Sequence, residues 1–143
     1  MGQTPWSAAL ETGHSAIDDQ HRELVRLHAE VLDSMRAGDA DAARTALAVL
    51  LDRTREHFAF EENLMAEARY PQREHHGTAH SQFIDDLVAL VSEGTRNPFS
   101  TALRLWLESR YASWWKWHLR SNDFALARHL TAQATPPPAH APA

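Results

Sequence analysis

Apolar residues and histidines recur at three- and four-residue intervals along most of the chain, the spacing of one face of a helix. The first stripe is Ile17, His21, Leu24, His28, Val31 and Met35, which predicts a helix over about 16–36. Ala37-Gly38-Asp39 ends it: Gly38 suits a left-handed cap, and Asp39 or Asp41 can cap the next helix. The second stripe reads Ala43, Leu47, Leu50, Thr54, His57, Glu61, Leu64 and Ala68, a helix over about 41–68 with Arg44, Asp52, Arg53 and Arg55 turned to water. Pro71 fits the first turn of a third helix, about 71–93, where its missing N–H costs nothing. That helix carries His76, His80, Phe83, Leu87 and Leu90 on one face, and Glu93 to Pro98 is the following break. A fourth helix from about Pro98 presents Leu103, Leu107, Tyr111, Trp114 and His118, with Trp106, Trp115 and Trp117 adding bulk.

No alternating strand pattern competes, so the chain reads as all-α. Four helices of similar length joined by short loops favour antiparallel neighbours, hence an up-down-up-down four-helix bundle. The bundle is expected to span residues 1–130, and the Pro- and Ala-rich tail 131–143, which has nothing to bury, is expected to be disordered. At 143 residues the chain has room for one core and for no second folded domain.

Composition removes whole classes of chemistry. With no Cys, thiolate metal sites, iron–sulfur clusters and cysteine nucleophiles all drop out, so any metal must sit on nitrogen and oxygen. A net charge of −5 offers no basic stripe for a phosphate backbone, which argues against nucleic acid. The longest apolar run, Ala46 to Leu51, is far below the roughly 20 residues that span a bilayer, and no charged-then-apolar leader opens the chain. Met1-Gly2 is not a myristoylation signal, because Trp6 stands where Ser or Thr is needed. The expectation is a soluble cytoplasmic protein with no membrane partner.

The 10 His change the picture because of where they fall. His57 and Glu61, and His76 and His80, are each four residues apart, about 6 Å of rise on one helical face. Both pairs lie on the stripes that the apolar residues mark as buried, and His21 and His118 lie on the buried stripes of the other two helices. Leaving a buried polar group unpartnered costs on the order of 1–3 kcal/mol. Five His and a Glu with no common partner would therefore strain a domain whose total stability is about 10 kcal/mol. A shared metal centre removes the strain. Asp123, five residues after His118, is about 140° around a regular helix from it and joins the set only through a local break, for which Ser121-Asn122-Asp123 is the suitable place.

The constellation resembles the hemerythrin family, specifically its single-domain bacterial members. The match runs from about Trp6 to Phe124 through Ile17-Asp18-Asp19-Gln20-His21, His57-Phe58, Glu61-Glu62, Pro71, His76-x-x-x-His80, and Trp114 ahead of His118 and Asp123. The resemblance implies two iron ions in a non-haem site that binds O2 reversibly. His76, His80 and His118 would hold one iron, His21 and His57 the other, and Glu61 and Asp123 would bridge them together with an oxygen from solvent. Five neutral His against two carboxylates leave such a centre less anionic than carboxylate-rich oxygenase sites. In the family a Leu three residues before the last His and an Ile just after it form an apolar pocket over the open iron. Here Trp115 and Leu119 stand at those positions, and with Trp114 they are the candidate O2 pocket.

Other histidines read as bystanders: His28, about 10 Å along the axis from His21, as a hydrogen-bonded core residue in preference to a support behind a ligand, His75 as solvated, and His14, His129 and His140 as helix-end or tail residues. Asp18 and Gln20 either orient ligand imidazoles or, for Asp18, cap the first helix. The resulting expectation is an O2 binder for transport, storage or sensing and not an enzyme, with no fused signalling domain. Its rivals are a di-iron redox enzyme of oxygenase or peroxidase type, and an iron- or NO-handling protein. Ferritin-like oxygenase sites need two inward Glu-x-x-His pairs. This chain has one, Glu11-Thr-Gly-His14, ahead of the first helix.

Overall fold

A computed structural model describes residues 7–134; Trp6, His140 and the rest of the predicted tail from 135 on lie outside the described residues. After a short 3-10 turn at Ala8–Leu10 come α1, Ser15–Arg36, α2, Ala40–Glu67, and α3, Arg73–Arg96. The fourth helix, α4, occupies 101–134 and is not uniform: Trp106–Tyr111 and Leu119–Asp123 are π-helical turns set between α-helical stretches. No strand occurs among the described residues, and none of their helices is long and apolar enough to cross a membrane. The helices form the expected antiparallel bundle, with α1 on α2, α2 on α3, and α4 closing against α3 and α1.

Local signals account for most boundaries. Gly38 takes φ +71, a left-handed conformation that a side chain would resist, and Asp39 caps α2 by accepting from Ala42 N at 3.0 Å. α1 begins under His14, whose Nδ1 accepts from Ile17 N at 3.3 Å, so this residue is a helix cap. Four boundaries differ from expectation. α3 starts at Arg73 behind the cap residue Gln72, so Pro71 precedes the helix instead of entering its first turn, and α4 starts at Thr101 behind Ser100 instead of near Pro98. α3 runs through Gly94 to Arg96, past the predicted break, because Gly94 is buried where any side chain would collide with Leu47 of α2. α4 continues to Ala134, four residues into the predicted tail, with His129 and Gln133 reaching back to the Ala68 carbonyl at 3.3 and 2.9 Å.

Two apolar clusters fill the bundle. The larger holds Leu24, Leu27, Val31, Leu47, Leu50, Phe83, Leu87, Leu103 and Leu107, and the smaller closes the other end with Ile17, Met65, Tyr70 and Leu126. Between them lies a layer that is neither apolar nor open to water. His21, His57, Glu61, His76, His80, His118 and Asp123 are all at most 2% exposed.

Candidate metal centre

Each helix contributes to this layer at the level its periodicity dictates: His21 from α1, His57 and Glu61 from α2, His76 and His80 from α3, His118 and Asp123 from α4. Asp123 arrives by a route the regular helix forbids. In the Leu119–Asp123 π turn the Phe124 N–H donates to the Leu119 carbonyl, five residues back instead of four, so residues five apart share a side. Asp123 Oδ1 then stands 3.2 Å from His118 Nε2. The break anticipated at Ser121-Asn122-Asp123 is thus an inserted residue, not a bend.

The donor atoms sort into two overlapping groups. Glu61 and Asp123 join His76, His80 and His118 in one, and His21 and His57 in the other. The carboxylates divide their oxygens accordingly. Glu61 Oε1 is 3.2 Å from Nε2 of both His76 and His80, while Oε2 is 3.2 Å from His57 Nε2 and 3.8 Å from His21 Nε2. Asp123 Oδ1 is 3.0 Å from His76 Nε2, while Oδ2 is 3.0 Å from His21 Nε2. Donors about 2.1 Å from one divalent ion stand about 3.0 Å apart when at right angles, which is the spacing found here.

These contacts are close without being hydrogen bonds. Both oxygens of Glu61 and of Asp123, and Nε2 of His57 and His76, are buried with no partner of hydrogen-bonding geometry among the described residues. Such atoms are expensive unless a cation answers them all. Without one the site holds protons instead. Burial lowers the pKa of His76, but its contacts with Asp123 and Glu61 outweigh burial and raise it to about 9. Burial and Asp123 push the Glu61 carboxyl up, yet His57 and His76 hold it below its ordinary value. Burial likewise works against ionised Asp123, and His118, His21 and His76 overcome it. The residues present therefore fit a metal pair whose uptake displaces protons.

Behind the donor atoms, other side chains set the rings. Gln20 Oε1 accepts from His57 Nδ1 at 2.6 Å, as expected of Gln20. Glu62 Oε2 accepts from His80 Nδ1 at 3.1 Å, and the Asn122 amide is 3.0 Å from His118 Nδ1. Neither role was expected, although Asn122, four residues after His118, has same-face spacing. Asp18 instead accepts from Thr12 N and Oγ1 at 2.8 Å and from Gly13 N at 3.2 Å, which ties down the entry to α1 and leaves the ligands alone. His28 donates or accepts at Nε2 with the Leu107 carbonyl 2.7 Å away; a carbonyl only accepts, so the ring N–H donates, as expected of a core histidine. His75 is exposed.

A cavity of about 60 Å³ opens between α1 and α4 beside the two-His group, lined by Leu10, His21, Leu24, Trp115 and Leu119 among others. Trp115 packs against both histidines of that group, 5.8 Å from His21 and 5.9 Å from His57 between ring centroids. Trp114 is a correction to the expected pocket. About 100° further round the helix from Trp115, it stacks on His118 at 4.4 Å and on Phe83 at 3.9 Å and does not line the cavity.

Residues 12–130 match the model of the hemerythrin HHE cation binding domain. The chain belongs to the hemerythrin family. It is 30% identical to a bacteriohemerythrin of Stenotrophomonas maltophilia over 92% of this chain and 84% of that one. It is 28% identical to a myohemerythrin of Sipunculus nudus over 83% of this chain and 87% of the relative. The crystal structure of a leucine-to-phenylalanine mutant superposes with a TM-score of 0.81 at 20% identity, covering 92% of this chain and 99% of that one, and so shares the fold. In this hemerythrin family member the matched segment contains all seven donor residues.

Proposed function

We propose that the protein binds O2 reversibly at a di-iron centre, serving to carry, store or sense oxygen. The observation that carries this is the unequal division of ligands: five residues surround one position and four the other, with Glu61 and Asp123 common to both. His76, His80 and His118 would complete one iron, while His21 and His57 would leave the other one ligand short. The pair, when bound, supplies the two electrons that reversible O2 uptake borrows and returns.

The chain's own residues shape what reaches that open position. The cavity beside His21 leads to the two-His side and not to the three-His side, and it is walled by Trp115 and Leu119. We assign it as the O2 route, with Trp115 as the side chain that narrows it. The competing oxygenase reading lacks its residues: Glu11 is engaged by Arg22 at 2.7 Å and His14 caps α1, so the Glu-x-x-His spacing there stays out of the centre.

The test is iron per chain together with the visible spectrum of the anaerobically reduced protein before and after air. Two irons and a visible band that appears with O2 and disappears on deoxygenation support reversible binding. Immediate oxidation with no stable oxygenated band would replace it with a redox role. Trp115→Leu should then speed O2 release and change autoxidation, and unchanged rates would remove Trp115 from the route.

A further inference from the structure

The groups standing behind the ligand imidazoles are not equivalent. Gln20, behind His57, and Asn122, behind His118, are neutral amides, whereas Glu62, behind His80, is a carboxylate. The side chain of His80 is 1% exposed and that of Glu62 is 49% exposed, so the carboxylate reaches from solvent to a ligand inside the bundle. With Nε2 turned to the donor cluster, the ring proton of His80 resides on Nδ1 and is donated to Glu62 Oε2 at 3.1 Å. This is a charge-assisted bond, and an anionic acceptor behind a ligating imidazole makes the ring a stronger donor to its metal.

Glu62 is not needed to hold the ring plane. Phe58 lies flat on His80, 3.8 Å away and 6° from parallel, and α3 fixes the ring's origin. What Glu62 positions is the Nδ1 proton. We infer that Glu62 is a positioning residue that acts through His80 to lower the oxidation potential of the iron that His80 would hold. This inference rests on the di-iron reading above. In the titration the electron would pass from that iron to a soluble mediator, with His80 keeping its place and its Nδ1 proton drawn toward Glu62 Oε2.

The experiment is a spectroelectrochemical titration of the iron-loaded full chain under nitrogen with soluble mediators. Glu62→Gln keeps an acceptor oxygen but removes the charge; it should retain two irons per chain and oxidise at a higher potential than wild type. Gln20→Glu should shift the potential down. Glu62→Ala should also weaken metal affinity by about 10- to 100-fold. A second readout needs no iron: in protein loaded with Zn2+ alone, the His80 Nδ1–H proton resonance should move upfield in Glu62→Gln. That measurement decides the matter if Glu62→Gln fails to load iron. An unchanged potential in Glu62→Gln, or an unmoved His80 resonance, overturns the inference while leaving the di-iron reading intact. Wild-type chain that takes up no metal pair overturns both.

Discussion

The two π-helical turns of α4 put the same backbone irregularity to different uses. Inserting a residue into the regular ladder displaces main-chain partners, and a buried carbonyl left without one is costly. At Trp106–Tyr111 the Leu107 carbonyl accepts from His28 at 2.7 Å, Tyr111 stacks on that imidazole at 4.3 Å, and both Leu107 and Tyr111 join the larger apolar cluster. At Leu119–Asp123 the inserted residue puts a carboxylate among five imidazoles, with Asn122 beside His118 in support. The first turn is a packing solution with a polar repair. The second denies the bundle a dry core at that level and builds a donor cluster that could hold a cation. Stability and metal content should therefore respond to substitution independently at the two ends.

The largest effect is expected at the metal end. Glu61→Ala removes the oxygens shared by both donor groups, so on the proposed di-iron reading metal analysis should find both irons lost, not one. Asp123→Ala, which removes the other shared carboxylate, should do the same. Because apolar clusters flank the layer on both sides, the far-ultraviolet helical signal should persist in each variant. Retention of one tightly held iron in either variant would mean that the carboxylates are not shared.

How far these two ends were legible differs for physical reasons. The bundle follows from the three- and four-residue spacing, and the same spacing placed His21, His57, Glu61, His76, His80 and His118 inward. Asp123 was legible only as a conflict, a needed carboxylate on the wrong face, with polar Ser121 and Asn122 marking where the helix would yield. The Trp106–Tyr111 turn carried no such conflict, since its residues also suit a regular helix. Glu62 acts across the α2–α3 seam, and the relative rotation of two helices is set by tertiary packing that one helix's periodicity does not contain. Trp114 was grouped with its neighbour Trp115 in the pocket, although one position on a helix turns it about 100° away. Glycine at 94 signalled a break when its small size served a close approach of α2.

The next effect in size belongs to the apolar end. Leu107 and Leu50 are fully buried, and truncating either to Ala should cost about 2–5 kcal/mol in denaturant unfolding. Iron per chain and the spectrum with O2 should be unchanged, because neither is a donor residue. Loss of iron from Leu50→Ala in protein that remains helical would show the two ends to be one cooperative unit and would break the contrast.

His28 gives the smallest effect and the sharpest test, because it joins α1 to the first π turn without touching a metal ligand. His28→Leu leaves the Leu107 carbonyl unanswered and should cost about 1–3 kcal/mol at neutral pH, with iron content intact. The cost should depend on pH. Burial lowers the His28 pKa below its ordinary 6.5, and this outweighs the opposing effect of its bond to Leu107. The unfolded chain consequently binds a proton at a pH where the folded protein does not. The stability held in neutral His28 is complete above the unfolded value of 6.5 and is lost as pH falls through it toward the folded value. Leu at this position has no proton to take up. The stability gap between wild type and His28→Leu should therefore narrow as pH falls below 6.5, the titrations of the ligand histidines cancelling because both proteins share them. Paired denaturant unfolding curves above and below that pH measure the gap directly. A gap that stays constant would mean that His28 keeps its ordinary pKa in the fold, and that the first π turn is repaired by something other than a neutral, desolvated imidazole.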